Sequence, residues 1–165
     1  MAGFSQLYEK YAGQVYRFLL ALSCDSSLSE ELTQETFYQA FLHADKFENR
    51  CSVSTWLCQI GKNAYFREMK RQKRTVPMQE AGERQDGALK DPEEVFLEKE
   101  RVQSLRRQLL YLPEPYRTVI AMRVYNGTDY KELARLFGKS ESWARVTYFR
   151  AKERLTSSME REDRG

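Results

Sequence analysis

Two arginines five positions apart, Arg145 and Arg150, enclose Val146 and Phe149 in the stretch GKSESWARVTYFRAK, Gly138 to Lys152. At about 100° per residue, Ala144, Tyr148, Ala151 and Leu155 share one arc of a helix, and Arg145, Val146, Phe149 and Arg150 share the other side. An aromatic ring and a valine between two arginines make an awkward face to leave to water alone. Such a face suits a DNA major groove, where arginine pairs bidentately with guanine and apolar groups meet thymine methyls. Upstream, Tyr130 to Phe137 reads as a short helix opened by Asp129, with Glu132 as its capping-box partner, and closed by Gly138, a natural left-handed C-cap. Ser140 can cap the next helix. A short helix, a tight turn with glycine and a second helix form a helix-turn-helix pattern. An ordinary helical hairpin with a solvated basic face is the competing reading.

A second cluster lies on a helix expected from Thr55 to Lys73. Val53, Trp56, Leu57, Ile60 and Ala64 share the arc expected to be its core stripe, whereas Gln59, Lys62, Asn63, Phe66 and Lys70 share another. Arg67, Arg71, Lys73 and Arg74 extend the charge. Bases meet phosphates, an amide can hydrogen-bond a base edge, and an aromatic ring can stack on an unpaired base. That mixture is what single-stranded DNA needs; a solvated basic face beside a core tryptophan is the plain alternative. Charge is unevenly spread, since Asp25 to Asp45 holds five acids and no Lys or Arg, while Lys62 to Arg74 holds six bases and one Glu. The two stretches call for different partners. In the acidic one, Leu28, Leu32, Phe37, Tyr38, Phe41 and Leu42 spread over more than half the helix circumference, with Gln34 and Glu35 inside the apolar arc. Either a second packing surface for a protein partner or enclosure within its own bundle fits that width.

The elements that must position these residues are helical. The chain has 165 residues, 41% apolar and 31% charged, enough for one ordinary domain or two small ones and suited to a helical protein. Helices are expected at Gln6–Ser23, Ser29–Ala44, Thr55–Lys73 and Val95–Tyr111, then from the stop LPEPY to about Tyr125, with NGTDY as a turn. Thr75 to Glu100 carries eight acids against three bases and two each of Pro and Gly, and its first two-thirds reads as a linker. The expected fold is all-α: two small helical domains, 1–74 and 95–165, joined by a flexible acidic linker at 75–94. No run of about 18 apolar residues occurs and the amino terminus lacks a signal pattern, so a cytoplasmic chain without membrane insertion is expected. Cys24, Cys51 and Cys58, with His43 the single histidine, give no zinc spacing and are expected to be reduced, mostly packed thiols. No nucleophile, metal or paired-acid constellation is visible, so no enzyme activity, cofactor or small-molecule substrate is expected.

In this order the three clusters resemble the bacterial sigma-70 family, specifically its extracytoplasmic-function (ECF) group. LSEELTQETFYQAF (Leu28 to Phe41) is similar to region 2.2, STWLCQIGKNAYFREMKR (Ser54 to Arg71) to regions 2.3 and 2.4, and Leu112 to Leu155 to region 4. The resemblance implies that Leu32, Gln34, Glu35, Phe37 and Tyr38 dock on the β′ clamp helices of core RNA polymerase. It further implies that Trp56, Gln59, Lys62, Asn63, Phe66, Arg67, Lys70 and Arg71 handle the −10 element, a flipped base entering a loop at about Phe47 to Val53. Lys139, Ser140, Ser142, Trp143, Arg145, Val146, Phe149 and Arg150 would read the −35 element of promoter DNA, with region 4 also on the polymerase β-flap. By its place in the apolar stripe Trp56 is a core residue, and by the resemblance a DNA contact, so a mixed role is expected. An anti-sigma factor is an implied partner. The segment 75–94 corresponds to region 3.2, which threads the polymerase cleft. Arg67 stands where the family often has Asp or Asn, and Trp143 and Val146 replace small polar residues at the start of the recognition helix. A stand-alone helix-turn-helix regulator is the alternative, and it would find its site without core polymerase. A helical adaptor is a third reading, and would show no salt-dependent DNA binding.

Overall fold

The computed structural model describes residues 2–75 and 96–164. Apart from Thr75, the expected linker lies outside the described residues. The chain divides into two compact units, Met1–Asp86 and Gly87–Gly165. Among the described residues all regular structure is helical.

The first unit packs α1 (Ala2–Ser23), α2 (Ser26–Leu42) and α3 (Val53–Thr75) against one another. Val15, Phe18, Leu19 and Leu22 of α1 meet Leu32, Thr36 and Phe37 of α2 and Leu57 and Cys58 of α3 in its core. Helix α2 starts earlier than the apolar pattern suggests, because the Asp25 carboxylate accepts from Leu28 N at 3.1 Å and caps the first turn. The buried hydroxyls of Thr33 and Thr36 donate to carbonyls four residues back at 2.6 Å, which removes the cost of burying them. A 3-10 turn, Ala44–Lys46, and a loop follow, and Ser52 Oγ accepts from Thr55 N at 3.2 Å to open α3.

The core stripe of α3 is rotated by about a quarter turn from the expected one. Cys58, Gly61 and Tyr65 are buried with Leu57 and Ala64, whereas Val53, Trp56 and Ile60 are only half-buried. Gly61 explains the rotation: a Cβ there would lie 3.1 Å from Thr36 Oγ1 and 3.4 Å from Leu19 Cδ2. The side of α3 with the smallest residues makes the closest approach, so the larger apolar groups are displaced to the flank.

The second unit gathers α4 (Phe96–Tyr111), α5 (Tyr116–Ala121) and α6 (Tyr130–Phe137) around α7 (Glu141–Arg164). Helix α5 continues not as expected but as a π turn, Met122–Asn126, which ends at Gly127 with φ 68°. Asp129 Oδ1 accepts from Glu132 N at 2.8 Å, Gly138 takes the left-handed conformation, and Ser140 Oγ accepts from Trp143 N at 3.0 Å. These caps fall on the residues expected to supply them.

Candidate functional site

On α2 the backbone faces separate two groups that the sequence pattern joins. Leu32 and Phe37 are 6% and 3% exposed, part of the core, and so lie beneath any docking surface rather than on it. Gln34 and Tyr38 are exposed and Glu35 half-buried, with Gln39 Nε2 donating to Glu35 Oε1 at 2.8 Å. Phe41 and Leu42 are exposed on the same outer side, which the assigned set omits. The outer face thus has acids toward its amino end and apolar groups toward its carboxyl end. Phe4 of α1 braces Phe41 edge-on at 5.2 Å, and Tyr8 meets Phe37 at 4.9 Å. That contribution from α1 carried no signal in the sequence, since it depends on how α1 crosses α2.

On α3, Asn63, Arg67, Lys70 and Arg71 are exposed, and Gln59, Lys62 and Phe66 half-buried, on the side away from the core. Arg71 donates twice to Glu68, at 2.7 and 3.0 Å, and its guanidinium holds the Glu68 carboxyl below the usual carboxylate range. Trp56 is half-buried, its ring 4.9 Å from Phe47 in the preceding loop. The indole therefore packs on the loop and is neither fully in the core nor fully exposed.

On α7, Ala144 and Ala151 have no exposure, whereas Arg145, Val146, Phe149 and Arg150 are all exposed. Lys139, Ser140 and Ser142 lead into that face and are exposed; Trp143 is half-buried, its ring 5.3 Å from Phe137. Arg145 has two partners that the pattern did not indicate, the Glu141 carboxylate at 2.9 Å and the ring of Tyr130 at 5.1 Å. No group of three or more His, Cys, Asp or Glu side chains placed to hold a metal occurs among the described residues. None of the three cysteines is in a disulfide; Cys58 is buried, while Cys24 and Cys51 are partly exposed.

These faces define a helical protein with a helix-turn-helix and a second basic, aromatic helix in a separate unit. Two family models match the chain, Sigma-70 region 2 over residues 7–75 and Sigma-70, region 4 over residues 102–155. The chain is 30% identical over 152 residues to the ECF RNA polymerase sigma factor SigM of Bacillus subtilis, covering 91% of each. It belongs to the sigma-70 family, in the ECF group of transcription initiation factors. Its fold is shared with the sigma factor RpoE of Bartonella quintana, solved with the anti-sigma factor NepR, at a TM-score of 0.73, 22% identity and coverage of 97% and 98% of the two chains. CnrH, solved with the cytosolic domain of CnrY, matches at a TM-score of 0.67 and 22% identity, over 95% of this chain and 87% of that one.

Proposed function

We propose that this chain binds core RNA polymerase through the outer face of α2 and directs initiation at promoters whose −10 and −35 elements it reads with α3 and α7. The observation that carries the reading is the exposed Arg145–Val146–Phe149–Arg150 face of the helix-turn-helix, set over a fully buried alanine seam. Arginines flanking apolar groups match the donor and methyl pattern of a major groove. In the other unit, Asn63 and half-buried Phe66 beside Lys62, Lys70 and Arg71 offer stacking, an amide and phosphate contacts to a melted strand. Trp56 and Phe47 border the loop into which a base of that strand would flip, and flipping costs a few kcal/mol that pocket contacts must offset. Residues 1–74 form the polymerase and −10 domain, 75–94 the connection and 95–165 the −35 domain. The chain acts by binding, without a reaction of its own, in the cytoplasm.

Control by an anti-sigma factor is part of the proposal, supported by the partners present with RpoE and CnrH. The apolar end of the α2 face, Tyr38, Phe41 and Leu42, is the surface such a partner would hide. The test is reconstitution of the purified chain with core polymerase on a library of promoter fragments. Initiation at a defined sequence class, dependent on both proteins, is the expected result. Sequence-specific binding equally tight without core polymerase would instead make the chain a stand-alone regulator.

A further inference from the structure

Arg145 and Arg150 look equivalent in sequence, one on each flank of the exposed face of α7, but their surroundings differ. Arg145 pairs with Glu141 at 2.9 Å and lies over the Tyr130 ring at 5.1 Å. An exposed pair one turn apart holds a side chain only weakly, so the ring matters. Tyr130 is itself anchored: the Arg123 guanidinium lies 4.3 Å from its centroid and 5.2 Å from that of Tyr148. Arg123 Nη1 donates to Thr128 O at 3.0 Å, and its buried Nε has no partner among the described residues. The π turn at Met122–Asn126 places Arg123 in this stack. Among the described residues, Arg150 has no ion pair or ring beneath it and is exposed.

We infer that Arg145 is held on the flank as a phosphate contact by the stack Arg123–Tyr130, and that Arg150 is the arginine that reads a base edge. Tyr130 opens the first helix of the helix-turn-helix, the helix that crosses the DNA backbone in this motif while the second enters the groove. A guanidinium stacked on that residue is directed to the groove wall. A surface groove of about 500 Å³ runs beside Arg145 and Tyr130, but Arg150 and the Glu153 carboxylate border it too, so what separates the two arginines is the stack beneath Arg145 and not the groove. Arg150 is free to rotate into a bidentate pairing. Arg123 and Tyr130 are positioning residues.

The inference rests on α6–α7 being the −35 reader, and lysine substitution separates the two roles. Lysine preserves a phosphate contact but not a bidentate one. In holoenzyme assembled with the full chain, fragments with a randomised −35 element are selected at several salt concentrations. Arg145→Lys should keep the wild-type preference at every position. Arg145→Ala should weaken all sequences alike and lower the log–log salt slope by about one. Arg150→Lys should lose about tenfold preference at one position. Tyr130→Ala should reproduce part of the slope loss with no base shift, and Tyr130→Phe, which keeps the ring, should behave as wild type. A shift of preference at one base by Arg145→Lys would overturn the inference and leave the function standing. A wild-type holoenzyme indifferent to the −35 sequence would overturn both.

Discussion

Replacing Gly61 by alanine tests the close approach of α3 to α1 and α2. In an open helical position Gly→Ala stabilises by roughly 1 kcal/mol, from the backbone entropy of the unfolded chain. At Gly61 the new methyl would meet Thr36 Oγ1 at 3.1 Å and Leu19 Cδ2 at 3.4 Å. Both neighbours are fully buried, and Thr36 Oγ1 is committed to Leu32 O at 2.6 Å, so neither moves aside freely. Overpacking of this kind costs about 1–3 kcal/mol, which cancels or exceeds the helix gain. Gly13 provides the control, since its Cβ would meet only the tip of the Arg17 side chain, at 3.3 Å. Gly13→Ala should therefore stabilise by ~0.5–1 kcal/mol, and the two identical substitutions should differ by about 1–3 kcal/mol. For a unit of this size each kcal/mol moves the midpoint by roughly 4–8 °C. Each unit holds one of the two tryptophans, so in a Trp143→Phe background Trp56 fluorescence follows the first unit alone. If Gly61→Ala raised the midpoint as much as Gly13→Ala does, the packing argument for the rotation of α3 would fail.

Charge reversal in Glu35→Lys should weaken assembly with core polymerase while leaving the thermal midpoint of the first unit nearly unchanged; undiminished affinity would remove Glu35 from the interface. Asn63→Ala should alter preference only in the −10 element and Arg150→Ala only in the −35 element, because they stand in separate units; crossed effects in the promoter selection would contradict that division. Burial pushes the Cys58 thiol up to about 12 from 9.0, which leaves its thiolate roughly a thousandfold scarcer at pH 8. Iodoacetamide at pH 8 should thus label Cys24 and Cys51 first, and Cys58 only on unfolding, as peptide mass spectrometry will show.

What the sequence alone determined was local. Asp129, Gly138 and Ser140 specify their caps because each acts within a few residues of itself, and the α7 seam of Ala144, Ala151 and Leu155 follows from helical period. Family membership was legible for the same reason, since Thr55–Trp56–Leu57 and Gln34–Glu35 are contiguous motifs. The tertiary structure decided which side of each helix is nearest its neighbours. Apolar periodicity weights large side chains, so it placed Trp56 and Ile60 in the α3 core, while contact distance is set by small ones, Cys58 and Gly61. In α2, with apolar groups over more than half its circumference, only the positions of α1 and α3 put Leu32 and Phe37 inside and Tyr38, Phe41 and Leu42 outside. In one dimension only Glu141, four residues before Arg145, tells it from Arg150; Tyr130, fifteen residues upstream of Arg145, does so only in the fold. A cation over a ring depends on where two helices cross, and that crossing is fixed by the packing of the whole unit.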